Sequence, residues 1–183
     1  DPRLADSEIE MFRAWVAAGC PPGDPRDAPP PTESTQPEWR IGEPDFVFSM
    51  PEPYQVPKDR LDEYQYYRVP ASFPEDRYIQ AIEMQPGNKS VVHHIGAIVG
   101  PAAAQPLSVT EAMLQLYRLT GEKVRKVGDY VAGDPFNART YPAGYALKLP
   151  ARHDLYFEMH YTPTGRVEAP DLSRMGIIWA KEK

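Results

Sequence analysis

The sequence predicts a mainly β protein, an antiparallel β-sandwich of the jelly-roll type with a short N-terminal helix. Six or seven short segments are β-prone, and turn residues stand between them. The 183 residues include 22 Pro and 12 Gly, which favours many short elements over a few long ones. Hydrophobic residues make up 42% of the chain, enough for one packed domain of this length.

The N-terminal segment has a helical pattern over residues 6–19. Ser7 and Glu10 have the spacing of a capping box, and Gly19 suits the C-terminal end of a helix. The apolar positions follow helical spacing: Ile9, Phe12, Trp15 and Val16.

Two proline clusters after this helix, in residues 21–25 and 29–31, predict a stiff, extended connection. They divide the chain into three expected parts. These are residues 1–24 as the helical tail of a preceding module, residues 25–42 as a proline-rich linker, and residues 43–183 as the β-sandwich domain. Alternatively, the helix lies against the main domain as a strap.

From about residue 43 the pattern changes to short strands. Runs of β-branched and aromatic residues predict strands at residues 46–50, 64–69, 77–84, 91–99, 145–149, 155–161 and 175–180. Pro86-Gly87-Asn88 is a turn signal between two of these strands. Residues 108–120 have a helical pattern, with Ser108 and Glu111 in capping-box spacing.

Composition excludes several classes of function. The formal charge is −6 and there is no stripe of Lys and Arg, which argues against nucleic-acid binding. No apolar run is long enough to span a membrane, and no signal peptide is visible. The motifs of serine hydrolases, P-loops and dinucleotide-binding folds are absent, so we assign no catalytic residue and no nucleotide-cofactor site. The single cysteine, Cys20, excludes an internal disulfide and a cysteine-based zinc site.

Three histidines are the candidate metal ligands. On the predicted strand 155–161, His160 shares the polar face, so it points away from the core. His93 and His94 are adjacent, and a regular strand would aim them at opposite faces. They can reach one metal ion only if the strand is bulged or ends there, or if they use different ring nitrogens. We predict that one of the pair binds through Nδ1 and the other through Nε2.

The spacing of these histidines leaves alternatives open. Three neutral imidazoles suit copper, zinc or iron. The same pattern also fits one core histidine and two surface histidines without any metal. Glu158 shares the face of His160, so it is either an acceptor for a ligand imidazole or simply exposed. His153 follows a turn signal and is interpreted as a solvated loop residue.

Two segments resemble a known family of copper enzymes. Residues 82–95, Ile-Glu-Met-Gln-Pro-Gly-Asn-Lys-Ser-Val-Val-His-His-Ile, are similar to the segment with the paired histidines in the copper type II, ascorbate-dependent monooxygenases. Residues 155–161, Leu-Tyr-Phe-Glu-Met-His-Tyr, are similar to their third-ligand strand. Residues 128–150 resemble the connector in bacterial members. The likeness covers about residues 43–180 of a family that includes peptidylglycine α-hydroxylating monooxygenase and dopamine β-monooxygenase.

The resemblance implies a specific role. The family has two jelly-roll domains, each with one copper ion. The first copper is held by three histidines and passes electrons, and the second binds oxygen and hydroxylates a C–H bond. His93, His94 and His160 match the first site, while the histidine-x-histidine motif of the second is absent. The chain is therefore expected to be the N-terminal copper-binding domain, with its partner a second copper domain downstream, and not to hydroxylate substrates alone.

This sequence departs from the animal enzymes at two points. Their disulfides cannot form here, and Glu158 stands where they tend to have an amide. Residues 3–24 resemble the last helix of a bacterial cytochrome c-type module, although the haem-attachment motif C-x-x-C-H is absent. The resemblance thus implies haem or ascorbate as electron donor and a periplasmic or secreted location.

Two other functions fit the same residues. One is a non-catalytic β-sandwich that binds a protein or a sugar, for which Tyr64, Tyr66 and Tyr67 are the candidate aromatic platform. The other is a three-histidine zinc hydrolase, in which zinc would activate water.

Overall fold

The structure is a computed structural model that describes residues 3–28, 38–71, 73–102, 125–134 and 137–181. It divides into two units, Asp1–Thr35 and Gln36–Lys183. The predicted helix at residues 108–120 lies outside the described residues. The predicted three-part division of the chain stays a prediction. None of the helices in the described ranges combines the length and the apolar character needed to cross a bilayer.

The first unit contains helix α1, Asp6–Ala17, and a single 3₁₀ turn at Pro25–Asp27. The predicted cap at Ser7 is wrong. The N-cap is Ala5, two residues before Ser7, and the Glu8 carboxylate reaches back and accepts the Ala5 N–H at 2.7 Å. Ser7 therefore lies inside the first turn.

The predicted C-terminal end of α1 is confirmed. Gly19 has φ of +83°, a left-handed conformation that glycine adopts without a Cβ penalty. Its N–H donates to the carbonyl of Val16, and the N–H of Cys20 donates to the carbonyl of Trp15, both at 3.0 Å. These two bonds satisfy the last free carbonyls of the helix in a Schellman motif.

Nine strands form within the described part of the second unit, and they include all seven that were predicted. They are β1 Phe46–Ser49, β2 Glu63–Val69, β3 Arg77–Gln85, β4 Val92–Pro101, β5 Arg125–Val131, β6 Ala138–Thr140, β7 Leu147–Leu149, β8 His153–Tyr161 and β9 Arg174–Trp179. The sequence patterns missed β5 and β6. The first is interrupted by charges and a glycine, and the second is too short to show a period.

The strands form two antiparallel sheets. One is a five-stranded sheet in the order β1-β9-β3-β6, with β7 also paired to β3. The other is a four-stranded sheet in the order β2-β8-β4-β5. The prediction of a mainly β, antiparallel sandwich with an N-terminal helix is confirmed, while the jelly-roll connectivity stays a prediction.

The core lies between the two sheets. Leu155, Phe157, Met159 and Tyr161 on β8 are all fully buried, which confirms the predicted core face of that strand. They join residues of the five-stranded sheet, among them Ile82 and Met175, in one apolar cluster. The opposite face of β8 carries Tyr156, Glu158 and His160.

Residues 38–44 cover part of the outer face of the five-stranded sheet. Trp39 is only 5% exposed, and its ring lies over Gly176, where an added Cβ would come within 2.7 Å of it. The buried carboxylate of Glu83 accepts the N–H groups of Arg40 and Ile41 at 2.6 and 3.2 Å. This arrangement ties the segment before β1 to the sandwich.

A buried carboxylate connects the loops at one end of the sandwich. Asp171 is fully buried, and its oxygens accept the Tyr161 hydroxyl, the Ser173 hydroxyl and the Asn88 N–H at 2.8, 2.9 and 2.8 Å. Burial first, and then the charge of Asp171, raise the pKa of the Tyr161 phenol far above its ordinary range. The network therefore holds the end of β8 against the turn that leads into β4.

The packing of that turn against the Leu172 backbone can be tested by substitution. An added Cβ at Gly87 would lie 2.4 Å from the Leu172 backbone nitrogen, which cannot move aside as a side chain can. We expect Gly87→Ala to lower the free energy of unfolding by about 1–3 kcal/mol, measured by chemical denaturation. Gly96→Ala is the matched control, because its nearest heavy atoms lie at an ordinary 3.7 Å. Equal stability of the two variants would contradict this packing.

Candidate metal centre

One row of residues crosses the outer face of the four-stranded sheet. The strand register places Tyr64 opposite His160, His160 opposite His94, and His94 opposite Val131. Beside this row, the Asn137 side chain accepts the Val131 N–H at 2.8 Å and donates to the Val131 carbonyl at 2.9 Å. The two central histidines are thus direct cross-strand neighbours whose backbones are fixed by sheet hydrogen bonds.

A β-bulge brings the third histidine to the same face. Val92 pairs with Tyr161 and His94 pairs with His160, so two steps along β4 match one step along β8. His93 is the extra residue. A bulge breaks the alternation of side chains, which allows two adjacent residues to point to one side. A bulge is one of the conditions under which, from the sequence, His93 and His94 could bind the same metal ion.

The three imidazoles converge. One ring nitrogen from each of His93, His94 and His160 lies within 4.8 Å of the other two. The Nδ1 atoms of His94 and His160 are 3.1 Å apart. Two ligands on one ion, at metal–nitrogen bonds of about 2.0–2.1 Å and angles between square-planar and tetrahedral, stand about 2.9–3.4 Å apart. The spacing therefore fits two nitrogens that share an ion.

The three histidines differ in how deeply they are buried. His160 is 8% exposed, His94 is half-buried and His93 is exposed. The centre is therefore backed by the sheet on one side and open to solvent at His93, so that an added ligand or a redox partner can approach from that side.

The pKa of His94 is lowered from its ordinary value of 6.5. Burial is the largest cause, followed by the positive charges that His160 and His93 would carry, while Glu158 opposes the shift. Close imidazoles disfavour protonation of one another, so His94 is neutral at neutral pH. A neutral ring nitrogen is the form that binds a metal ion.

Two further residues contact His160, and the sequence reasoning missed both roles. The Tyr64 ring stacks on the His160 ring with centroids 4.3 Å apart and planes 2° from parallel. The Asp62 Oδ2 atom lies 3.3 Å from His160 Nε2. Neither residue carries a motif, and only the pairing of β2 with β8 brings them to the histidine.

The three tyrosines of β2 do not form a single aromatic platform. Tyr67 packs against the apolar core, while Tyr64 lies on the opposite face and is 48% exposed. Tyr66 lies one row further along that face, directly opposite Glu158. Burial first, and then Glu158, raise the pKa of the Tyr66 phenol. This alternation weakens the interpretation of β2 as a sugar-binding surface.

Glu158 lies in the row next to the histidines, opposite Gly96 and Tyr66. It acts on His94 through its charge. Its role as an acceptor for a ligand imidazole stays a prediction.

His153 was wrongly predicted as a solvated loop residue. It is half-buried, opens β8, and its Nδ1 lies 2.8 Å from the Ala151 carbonyl oxygen. The turn before it is real, since Arg152 has φ of +57°, but it ends one residue earlier than expected. His153 stands seven positions before His160 on the same strand, roughly 23 Å away along β8. The structure therefore keeps it apart from the other three histidines.

The donor set consists of three imidazole nitrogens with no thiolate. Within the described ranges, this is the group of histidine, cysteine and carboxylate side chains placed to hold a metal ion. Such a set fits copper or zinc, and the open side fits an ion that exchanges a ligand or an electron. No protein-family model, curated protein or solved structure matches the chain. What the site can bind therefore follows from its donor atoms, their spacing and their surroundings.

Metal binding at these histidines should weaken as the pH falls, because protons compete for the same nitrogens. Because the pKa of His94 is lowered, protons compete for that ring only at a pH below its ordinary pKa of 6.5. We expect nearly constant Cu(II) affinity between about pH 7 and 8 and a steep loss below about pH 6. Titrations with a competing chelator across this range measure it, and an affinity that rises on acidification would contradict imidazole ligation.

Proposed function

We propose that this chain is a copper-binding domain that supplies electrons to a second copper centre in an oxygen-dependent, C–H hydroxylating monooxygenase. The observation that carries the proposal is the convergence of His93, His94 and His160, two from a bulged strand and one from its neighbour. The resemblance of both strands to the ligand strands of the copper type II monooxygenases favours copper among the metals that three imidazoles suit.

Copper bound here would supply a one-electron couple between Cu(II) and Cu(I). The role of this chain would be to hold three nitrogen donors in an arrangement that suits both oxidation states of the ion. His94 and His160 sit on paired strands above a close-packed core, so their positions should change little when the charge of the ion changes. The exposed ring of His93 extends the site to the surface, where an electron donor could approach.

The proposal assigns the hydroxylation step to another domain. Three histidines and an open side are suited to electron transfer, and the described residues bring no second group of donors together. The partner would be a second copper domain, with ascorbate or a haem group as the source of electrons, in a periplasmic or secreted protein. The chain alone should bind copper without hydroxylating substrates.

A three-histidine zinc hydrolase is the competing candidate, and it would need a general base beside the ion. Two carboxylates near the histidines are Asp62 and Glu158. Asp62 lies at the Nε2 edge of His160, whereas the Nδ1 edge of that ring faces His94, and Glu158 lies one row away from the His94–His160 pair. The arrangement around the site thus favours electron transfer over hydrolysis.

Replacing one ligand should abolish tight copper binding. We expect His160→Ala to weaken Cu(II) binding more than about 100-fold, since loss of a partner outside the ligand shell alone costs about 10–100-fold. His153→Ala is the matched control, because it removes a histidine of the same strand roughly 23 Å away. His93→Ala, at an exposed position, separates loss of a ligand from loss of folding.

Copper titration with circular dichroism of each variant measures these effects. An unchanged stoichiometry and affinity in both His160→Ala and His93→Ala would reject the assignment.

The bound metal should also change oxidation state reversibly. We expect the Cu(II) electron paramagnetic resonance signal to disappear when ascorbate is added and to return after reoxidation, with the protein still folded. Three nitrogen donors tolerate both states, so copper should stay bound throughout. Copper that is released on reduction, together with ester hydrolysis by the zinc-loaded protein, would favour the hydrolase.

A further inference from the structure

We propose that Asp62 is a positioning residue of this centre, which orients His160, selects its Nδ1 atom as the metal ligand and stabilises the oxidised form of the site. This inference rests on the proposed copper site. It concerns a residue that precedes β2 and carries no sequence motif.

Both ring nitrogens of His160 have a neighbour. Its Nε2 lies 3.3 Å from Asp62 Oδ2, and its Nδ1 lies 3.1 Å from His94 Nδ1. The negative charge of this carboxylate favours the neutral tautomer of His160 that carries its proton on Nε2. In this tautomer the His160 Nδ1 lone pair accepts the 3.1 Å hydrogen bond from His94 Nδ1, and it faces the point where the three imidazoles converge.

Two contacts fix the orientation of this ring. Tyr64 lies flat against it, which restricts tilt of the ring plane. Asp62 defines which edge of the ring faces outward. The pairing of Glu63 with Tyr161 and of Tyr64 with His160 places both contacts, since Asp62 comes directly before β2. His160 is thus held in a ligand-competent orientation by its neighbouring strand.

The charge of Asp62 adds an electrostatic effect. A carboxylate that accepts the outer N–H of a ligand imidazole makes the ring a stronger donor, and a negative charge favours the ion with the higher positive charge. Asp62 should therefore raise the affinity of the site for Cu(II) more than its affinity for Cu(I). Asp62 is half exposed, with 53% of its side chain accessible, so water screens the charge. We accordingly expect the lower end of the usual range for such partners, about tenfold in Cu(II) affinity.

Three variants distinguish the effect of Asp62 on the orientation of the His160 ring from the effect of its negative charge. Asp62→Ala removes both the acceptor and the charge. Asp62→Asn keeps an oxygen that can accept the Nε2 proton and removes the charge. Asp59→Ala is the matched control, because it removes an exposed carboxylate three residues earlier in the same loop.

Cu(II) and Cu(I) affinities, the reduction potential and the Cu(II) electron paramagnetic resonance spectrum are measured for each variant, with thermal denaturation as a check of folding. In Asp62→Ala we expect about tenfold weaker Cu(II) binding with unchanged Cu(I) binding, which is a rise in reduction potential of about 59 mV for one electron. Its spectrum should also change, because the ring is free to turn. Asp62→Asn should raise the potential while keeping the wild-type spectrum, and Asp59→Ala should match the wild type.

The two proposals fail in different ways. If the wild type binds copper through its three histidines and Asp62→Ala has the potential and spectrum of Asp59→Ala, Asp62 has no positioning role and the copper site stands. A lower melting temperature without a change in potential has the same meaning, since a purely structural contact would affect folding alone. If copper binding is equally strong in the wild type, in His160→Ala and in His93→Ala, the copper site itself is wrong.

Discussion

The candidate site depends on how β4 pairs with β8. This pairing sets His94 directly opposite His160, and the extra residue at the bulge turns His93 to the same face. A regular strand in the same register would aim His93 into the core, among side chains that are fully buried. One inserted residue thus converts a pair of adjacent histidines with opposite directions into two donors on one side of the sheet.

The rest of the sandwich holds this pairing in place. The inner face of β8 fills the core, so the strand cannot shift by one residue without moving its apolar side chains to the outer face. Asp171 connects the end of β8, next to His160, with the Asn88 turn that leads into β4. The same buried carboxylate therefore restrains both segments that supply the histidines. Stability of the fold and geometry of the site are consequences of the same contacts.

Close packing of three imidazoles has an electrostatic consequence. Protonation of one ring opposes protonation of the next, and burial adds to this effect at His94, whose pKa is lowered. Ring nitrogens that lie this close together form a site that a cation can occupy in place of protons. Asp62 and Tyr64 then add what the ligands lack, a carboxylate beside the outer nitrogen of His160 and a flat surface against its ring. Because Asp62 is half exposed, we expect it to orient the His160 ring and to change the copper affinity only modestly.

The sequence by itself determined the fold class, the terminal glycine of α1, seven strands and the core face of β8, and it named a bulge as one of three ways in which the adjacent histidines could share a metal ion. These features have local signatures, since side-chain period and turn chemistry involve residues close in the chain. It misplaced the cap at Ser7 and put His153 in a loop, because element boundaries depend on one or two hydrogen bonds that a pattern does not show.

Only the tertiary structure decided that the three histidines meet, and that Asp62 and Tyr64 join them. Strand partners and register arise from packing between segments distant in sequence, and β2 meets β8 across almost a hundred residues of chain. A residue such as Asp62 has no recognisable pattern until the neighbouring strand places it beside a histidine.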